Sequence, residues 1–196
     1  GVIHKTGLFE FLAIKAIKLA KGEPKRALVF LIILTAVASA ILDNVTTILL
    51  AVPMTLVVCK QLNVSPIPFI LSQVFASNIG GAATLVGDPP NIIIASRANL
   101  SFNDFLIHMA PWVIVVMLVI TPMLVFMFRK QLVNAPEDRT RISKLDENSY
   151  LKDKVLLRKS LFVLGAVMIA FVLHTALHLE PSIVAMLGAG LLVGIS

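Results

Sequence analysis

Apolar residues fill positions 27–96 of the chain almost without interruption, apart from two polar islands. The first island is Leu42–Thr47, and the second is the longer stretch Ser77–Asn91. Each island holds one carboxylate, Asp43 in the first and Asp88 in the second. In a membrane, irregular backbone is tolerated only where protein encloses it or it lines a cavity, and an ionisable side chain there marks a candidate functional site. The pattern therefore predicts that both islands belong to a site.

The first apolar stretch, Ala27–Cys59, is too long for one membrane helix and too short for two. As a single helix it would measure about 50 Å, against a hydrocarbon core of roughly 30 Å. Divided at the island, its arms Ala27–Leu42 and Ile48–Cys59 would each measure about 18–24 Å. These lengths favour a re-entrant helical hairpin over positions 27–60 that turns near mid-membrane at Asp43–Thr47.

Basic residues flank this predicted hairpin on both sides. Lys25 and Arg26 precede the first arm, and Lys60 follows the second. Because basic residues concentrate in cytoplasmic loops, both ends of the hairpin are expected at the cytoplasmic face. An ordinary pair of spanning helices would leave the ends on the same side, so only the arm lengths favour the hairpin.

The second island predicts a discontinuous membrane helix over positions 64–98. An apolar arm, Phe69–Ala76, leads into the island, and a second short arm follows it from Ile92. Glycine pairs and proline pairs interrupt helices by different means, the first through backbone freedom and the second through a missing N–H. Two interrupted helices in succession are typical of the binding site of a secondary transporter.

The remaining segments complete a multi-pass arrangement. Thr6–Lys21 predicts an amphipathic helix, so positions 1–26 are expected to form an interfacial or partial membrane helix. Positions 105–128 are long enough to span the bilayer, and the basic excess of 129–159 predicts a cytoplasmic loop. Positions 160–196 contain one further span and a last one that stops within an apolar run, which leads us to expect a fragment of a longer protein.

Composition supports an integral membrane protein. Hydrophobic residues make up 58% of the 196 residues and charged residues only 14%, whereas soluble domains carry about 25% charged residues. The mean hydropathy is +0.93. The net charge of +6 lies mainly in loops, where it reports orientation, so nucleic acid is not expected as a partner. We expect the lipid bilayer as the surroundings, and the plasma (inner) membrane if the protein is bacterial.

The islands offer carboxylate, amide and hydroxyl oxygens together with backbone N–H groups. Hard oxygen ligands suit Na⁺, with Asp43, Asn44 and Gly80 as candidates, or a proton carried on a carboxylate. No catalytic arrangement and no motif for an organic cofactor or a tight transition-metal site is evident, so we expect no enzyme. The candidate residues for substrate or ion binding are Asp43, Asn44, Thr46, Thr47, Ser77, Asn78, Gly80, Gly81, Thr84, Asp88 and Asn91.

Both islands resemble a known family. The motifs are Leu42-Asp43-Asn44-Val45-Thr46-Thr47 and Ser77-Asn78-Ile79-Gly80-Gly81-Ala82-Ala83-Thr84-Leu85-Val86-Gly87-Asp88-Pro89-Pro90-Asn91. They closely resemble the ion transporter superfamily, in the branch of the arsenite efflux pumps and the P (pink-eyed dilution) protein. They are also similar to motifs of the related citrate and divalent anion/sodium symporters. The resemblance extends over nearly the whole chain.

The resemblance implies an all-α, inverted-repeat transporter, of which this chain is the first repeat and positions 160–196 begin the second. It also implies a homodimer, and a soluble pump ATPase subunit would be a further partner if the protein assembles as arsenite pumps do. Asn44 matches the hairpin amide that binds sodium or substrate, and the broken-helix loop is matched by Gly80, Gly81, Thr84 and Asn91. Two departures from the symporters are Asp43 in place of Ser and Asp88 in place of Thr.

The additional carboxylates disfavour a dicarboxylate substrate unless a cation or proton neutralises them. The leading hypothesis is therefore a secondary active transporter that moves a small inorganic anion or oxyacid, coupled to an ion gradient of Na⁺ or H⁺. The alternatives are a citrate or dicarboxylate symporter, a sodium/proton antiporter and, from another class, an anion channel.

Overall fold

The structure is a computed structural model that describes residues 8–133, 154–177 and 181–194. All regular secondary structure in these ranges is helical, which confirms the predicted all-α fold. The helices are α1 Leu8–Leu19, α2 Pro24–Ser39, α3 Asn44–Leu62, α4 Ile67–Gly81, α5 Pro89–Ala98, α6 Phe102–Met127, α7 Lys154–Leu177 and α8 Pro181–Gly194.

Helices α2 and α3 fold back on one another. The side-chain amide of Gln73 in α4 bonds both Thr35 in α2, at 3.1 Å, and Thr55 in α3, at 2.6 Å. On one straight helix, Thr35 and Thr55 would lie about 30 Å apart, so the chain must reverse between them. The two helices therefore form a helical hairpin whose tip is the short segment 40–43. Its depth in the bilayer stays a prediction.

The second arm of the hairpin is longer than the sequence predicted. Helix α3 has 19 residues and begins at Asn44, because the carboxylate of Asp43 accepts a hydrogen bond from the backbone N–H of Thr46 and caps the first turn. At about 28 Å, α3 approaches the thickness of the hydrocarbon core. Arm length therefore no longer distinguishes a re-entrant hairpin from a spanning pair.

The second break is narrower than the second polar island. Helix α4 continues through Ser77 to Gly81, and only positions 82–88 are non-helical. Pro89 and Pro90 occupy the first positions of α5, where a missing N–H costs no helical hydrogen bond. The two prolines therefore start the second half of the interrupted helix.

One end of the bundle contains the main apolar core. It joins α1, the start of α2, the end of α3 and the end of α6 through buried side chains that include Ile17, Leu28, Val58, Leu62 and Leu124. The base of the hairpin, with Lys25 and Lys60 near its two ends, lies at this core. Helix α1 ends where Lys21 and Gly22 adopt positive φ values of 52° and 69°.

Helix α6 is the longest helix of the described chain. Ser101 and Asp104 form a capping box at its start, and its 26 residues are sufficient to cross a bilayer, as are those of α3. Most of its apolar side chains are exposed, which suits a helix that faces lipid or other membrane segments. Helices α7 and α8 contact one another, and α7 also contacts α6. Most of the predicted basic loop, positions 134–153, lies outside the described residues.

Candidate substrate and ion site

The hairpin tip and the broken helix meet in a junction that brings both polar islands together. The Nδ2 of Asn44 donates to the Oδ1 of Asn78 at 3.2 Å. The Ser39 hydroxyl donates to the carbonyl of Ser77 at 2.7 Å, and the Thr84 hydroxyl donates to the carbonyl of Ala40 at 2.6 Å. We refer to residues 39–44 together with residues 77–88 as the junction.

Glycines permit this contact because they let backbones touch. A Cβ on Gly80 would overlap the Ala36 carbonyl oxygen and lie 2.6 Å from the Ala36 Cα. A Cβ on Gly87 would lie 2.6 Å from the Ser39 carbonyl oxygen, and one on Gly81 would lie 2.7 Å from the Gly87 carbonyl oxygen. Neither Gly80 nor Gly81 has a positive φ, so close packing is what requires them.

The side chain of Asn91 bridges the two halves of the broken helix and does not face the hairpin. Its Nδ2 donates to the carbonyl of Gly81 at 3.0 Å and to that of Thr84 at 2.8 Å. The Thr84 hydroxyl in turn accepts the backbone N–H of Gly87 at 3.1 Å. Because both hydrogens of the Asn91 amide are used within the loop, this residue holds the two halves of the broken helix at a fixed separation.

The carboxylates Asp43 and Asp88 each lie next to a residue that takes part in the contact between the hairpin and the broken helix. Asp43, half-buried, precedes Asn44 and uses its Oδ1 to accept the Thr46 N–H at 2.9 Å. Asp88, also half-buried, follows Gly87 and makes no side-chain cap for α5. Within the described residues, neither carboxylate forms a salt bridge. The junction thus holds two acidic groups that could take up a cation or a proton.

Of the other predicted residues, Ser77 and Asn78 belong to the junction, whereas Thr46 and Thr47 lie outside it. The side chain of Thr46 is exposed, and that of Thr47 is buried with no hydrogen-bond partner for its hydroxyl among the described residues. Ser77 and Asn78 each donate a side-chain hydrogen bond to the Val74 carbonyl of their own helix, at 3.0 and 2.8 Å. Of this group, only Asn78 forms a side-chain hydrogen bond to the hairpin, through Asn44 at the start of α3.

Two features of the polar framework lie outside the candidate residues that the sequence indicated. Ser39 contacts the broken helix, although it precedes the first island. Gln73 lies within the apolar arm before the second island and joins Thr35 and Thr55 in a fully enclosed network. A glutamine inside an apolar membrane helix was the available signal, because such a side chain requires partners.

A cavity of about 460 Å³ adjoins the junction on its apolar side. Ala36, Ala40, Gly80 and Ala83 line it from the hairpin and the break, and α6 lines the opposite wall. Neither Asp43 nor Asp88 lines this cavity. The donor set of the junction, made of carboxylate, amide and carbonyl oxygens, suits Na⁺ better than a transition metal.

Comparison with known proteins decides the family of this chain. The family model described as citrate transporter, CitMHS, matches residues 1–194. The chain belongs to the CitMHS family. This membership agrees with the predicted relationship to the ion transporter superfamily and with a transporter located in a membrane.

Three relatives are similar in sequence to this CitMHS chain. An uncharacterized transporter of Mycobacterium tuberculosis is 51% identical, and a 46 kDa membrane protein of Mycobacterium leprae is 52% identical, each over 100% of this chain and 46% of its own length. The human P protein is 41% identical over 63% of this chain and 15% of its own length. The predicted kinship with the P protein is confirmed, and the chain spans about half the length of its mycobacterial relatives.

Proposed function

We propose that the protein is a secondary active transporter that moves a small inorganic anion or oxyacid across a membrane, coupled to a gradient of Na⁺ or H⁺. The observation that carries this proposal is the hydrogen bond between Asn44 and Asn78, which joins the two interrupted helices beside Asp43. Membership in a transporter family supports the general activity, and the chemistry of the junction supports the coupling.

The junction suits both an anion and a cation because four helix ends meet there. Helices α3 and α5 begin at Asn44 and Pro89, and the partial positive charge of a helix N-terminus favours an anion, although the Asp43 carboxylate already caps α3 and the two prolines of α5 supply no N–H. Helices α2 and α4 end at Ser39 and Gly81, where carbonyl oxygens favour a cation. A bound cation or proton at Asp43 or Asp88 would offset the negative charge that otherwise repels an anionic substrate.

A carboxylate such as citrate is the second candidate substrate. The family name favours it, whereas the two carboxylates of the junction oppose a multiply charged anion. A citrate symporter of this kind would require cations at Asp43 and Asp88 before substrate binds. Citrate uptake that rises steeply with Na⁺ or H⁺ concentration is therefore the expected signature of this alternative.

Uptake by liposomes that contain the full-length protein tests the proposal. Arsenite, citrate and Na⁺ would each be offered against imposed Na⁺ and H⁺ gradients, with the wild-type protein and the Asp43→Asn variant. We expect accumulation of one solute that depends on one gradient and is lost in Asp43→Asn. The matched control is Asp104→Asn, which changes an exposed carboxylate of the α6 capping box and should leave uptake unchanged.

Three results would count against the proposal. Solute movement that only dissipates its own gradient would indicate a channel, and exchange of Na⁺ for H⁺ without anion movement would indicate an antiporter. Unchanged ion dependence in Asp43→Asn would reduce Asp43 to the cap of α3.

A further inference from the structure

A groove separates α2 from α6 and consists of two connected cavities. The cavity of about 460 Å³ lies along the middle of both helices, and a second cavity of about 420 Å³ continues it towards the start of α2. Both cavities are lined by Val29, Thr121 and Pro122, which shows that they are contiguous. Apart from Thr121, the walls are apolar along their length, and Lys25 and Arg129 form the mouth at one end.

The two cations at the mouth have no acidic partner among the described residues, whereas the neighbouring Arg26 pairs with Glu23 at 2.8 Å. The guanidinium of Arg129 lies 4.1 Å from the centre of the Phe126 ring, which holds its charge beside the groove. Lys25 is exposed at the start of α2. The mouth therefore presents two positive charges next to an apolar channel.

The length of the channel matches one leaflet of a bilayer. Along α2, the lining residues Val29 to Ala40 cover about 16 Å, and half of a hydrocarbon core measures about 15 Å. The distribution of basic residues predicts that Lys25 and Arg129 lie on the cytoplasmic side, where anionic lipids attract basic groups. Neither cation has a counter-charge among the described residues, and a lipid phosphate would supply one, whereas an apolar protein segment in the groove would not.

We propose that this groove binds an anionic glycerophospholipid. The phosphate group lies between Lys25 and Arg129, and one acyl chain follows α2 past Ile33 and Val37. The end of that chain reaches Gly80 and Ala83, on the apolar side of the junction. The lipid would therefore pack directly against the backbone that joins the hairpin to the broken helix.

Native mass spectrometry of the full-length protein tests this site, with phosphatidylglycerol and phosphatidylcholine as probes. We expect the wild-type protein to retain phosphatidylglycerol in preference to phosphatidylcholine. The double variant Lys25→Gln/Arg129→Gln should lose this retention, by about fivefold for each cation removed. The matched control, Lys60→Gln/Lys130→Gln, removes two exposed cations outside the groove and should retain the lipid as the wild type does.

A second pair of variants tests the acyl-chain channel separately from charge. Val113→Trp fills the groove from α6 and should displace the lipid, whereas Val116→Trp changes an exposed position of the same helix outside the lining. Thermal unfolding is measured for both variants in detergent, with and without added phosphatidylglycerol. We expect the lipid to raise the unfolding temperature of Val116→Trp but not that of Val113→Trp.

Equal retention of phosphatidylglycerol by the groove and control double variants would overturn the proposal. So would equal retention of both lipids by the wild-type protein. If phosphatidylglycerol raises the unfolding temperature of Val113→Trp as much as that of Val116→Trp, the lipid does not occupy the groove and the proposal is wrong.

Discussion

Asn44 and Asn78 join the hairpin to the broken helix through their side-chain amides. Their hydrogen bond uses the Nδ2 of Asn44 and leaves its Oδ1, a hard oxygen ligand, outside this contact, on the residue that follows Asp43 in the sequence. The Nδ2 of Asn78 is held by the carbonyl of Val74 in its own helix. A cation can therefore bind the Asn44 oxygen without breaking the contact between the hairpin and the broken helix.

A prediction at this scale concerns Gly80. Its replacement by alanine places a methyl group on the backbone of Ala36, so α2 and α4 must separate. We expect Gly80→Ala to lower the free energy of unfolding by about 1–3 kcal/mol through overpacking. Gly165→Ala is the matched control, because a Cβ at this helical position meets nothing within 4 Å.

Thermal unfolding of both glycine variants in detergent provides the measurement. Gly165→Ala should be neutral or slightly stabilising, since alanine favours a helix over glycine by up to about 1 kcal/mol. Equal stability of Gly80→Ala and Gly165→Ala would show that the contact between α2 and α4 is not tight.

At the scale of elements, Gln73 ties three helices together. Its Nε2 donates to the Thr35 hydroxyl of α2, and its Oε1 accepts from the Thr55 hydroxyl of α3. All three side chains are buried in the described structure. Because an unpaired polar group has no water to bind there, the network fixes the register of the hairpin against α4.

Removal of the glutamine alone should therefore cost more than removal of the whole network. We expect Gln73→Leu to lower the free energy of unfolding by about 1–3 kcal/mol, because the buried Thr35 hydroxyl loses its hydrogen bond to the glutamine, whereas the Thr55 hydroxyl keeps the Ala51 carbonyl at 2.9 Å. The triple variant Thr35→Val/Gln73→Leu/Thr55→Val should recover most of this loss, since no polar group is stranded. Chemical denaturation in detergent measures both values, and a triple variant less stable than Gln73→Leu would contradict the argument.

For the whole molecule, the structure places the base of the hairpin and the end of α6 at one end of the bundle. The core that joins these elements includes Leu28, Leu62 and Phe128, and a cavity connects Lys25 with Arg129. This arrangement agrees with the charge pattern, which assigns Lys25, Lys60 and the loop after Arg129 to the cytoplasm.

The corresponding prediction concerns membrane sidedness. In a background in which the buried Cys59 is replaced by alanine, Lys25→Cys and Lys60→Cys should both react with a membrane-impermeant reagent applied from the cytoplasmic side, and neither from outside. Reaction of Lys60→Cys from outside alone would place the ends of the hairpin on opposite sides. Both arrangements of α2 and α3, re-entrant or spanning, share this expectation, so a further measurement of the depth of Asn44 distinguishes them.

The sequence by itself determined the class of the protein, the two interrupted helices and most residues of the junction. These properties follow from local chemistry, because long apolar runs require a membrane and polar islands within them require enclosed partners. Only the tertiary structure decided which partner each residue takes. It directs Asn91 into its own loop, starts α3 at Asn44 and brings Ser39 and Gln73 into the polar framework. Such pairings depend on how separate helices pack, and the order of residues along the chain does not specify that packing.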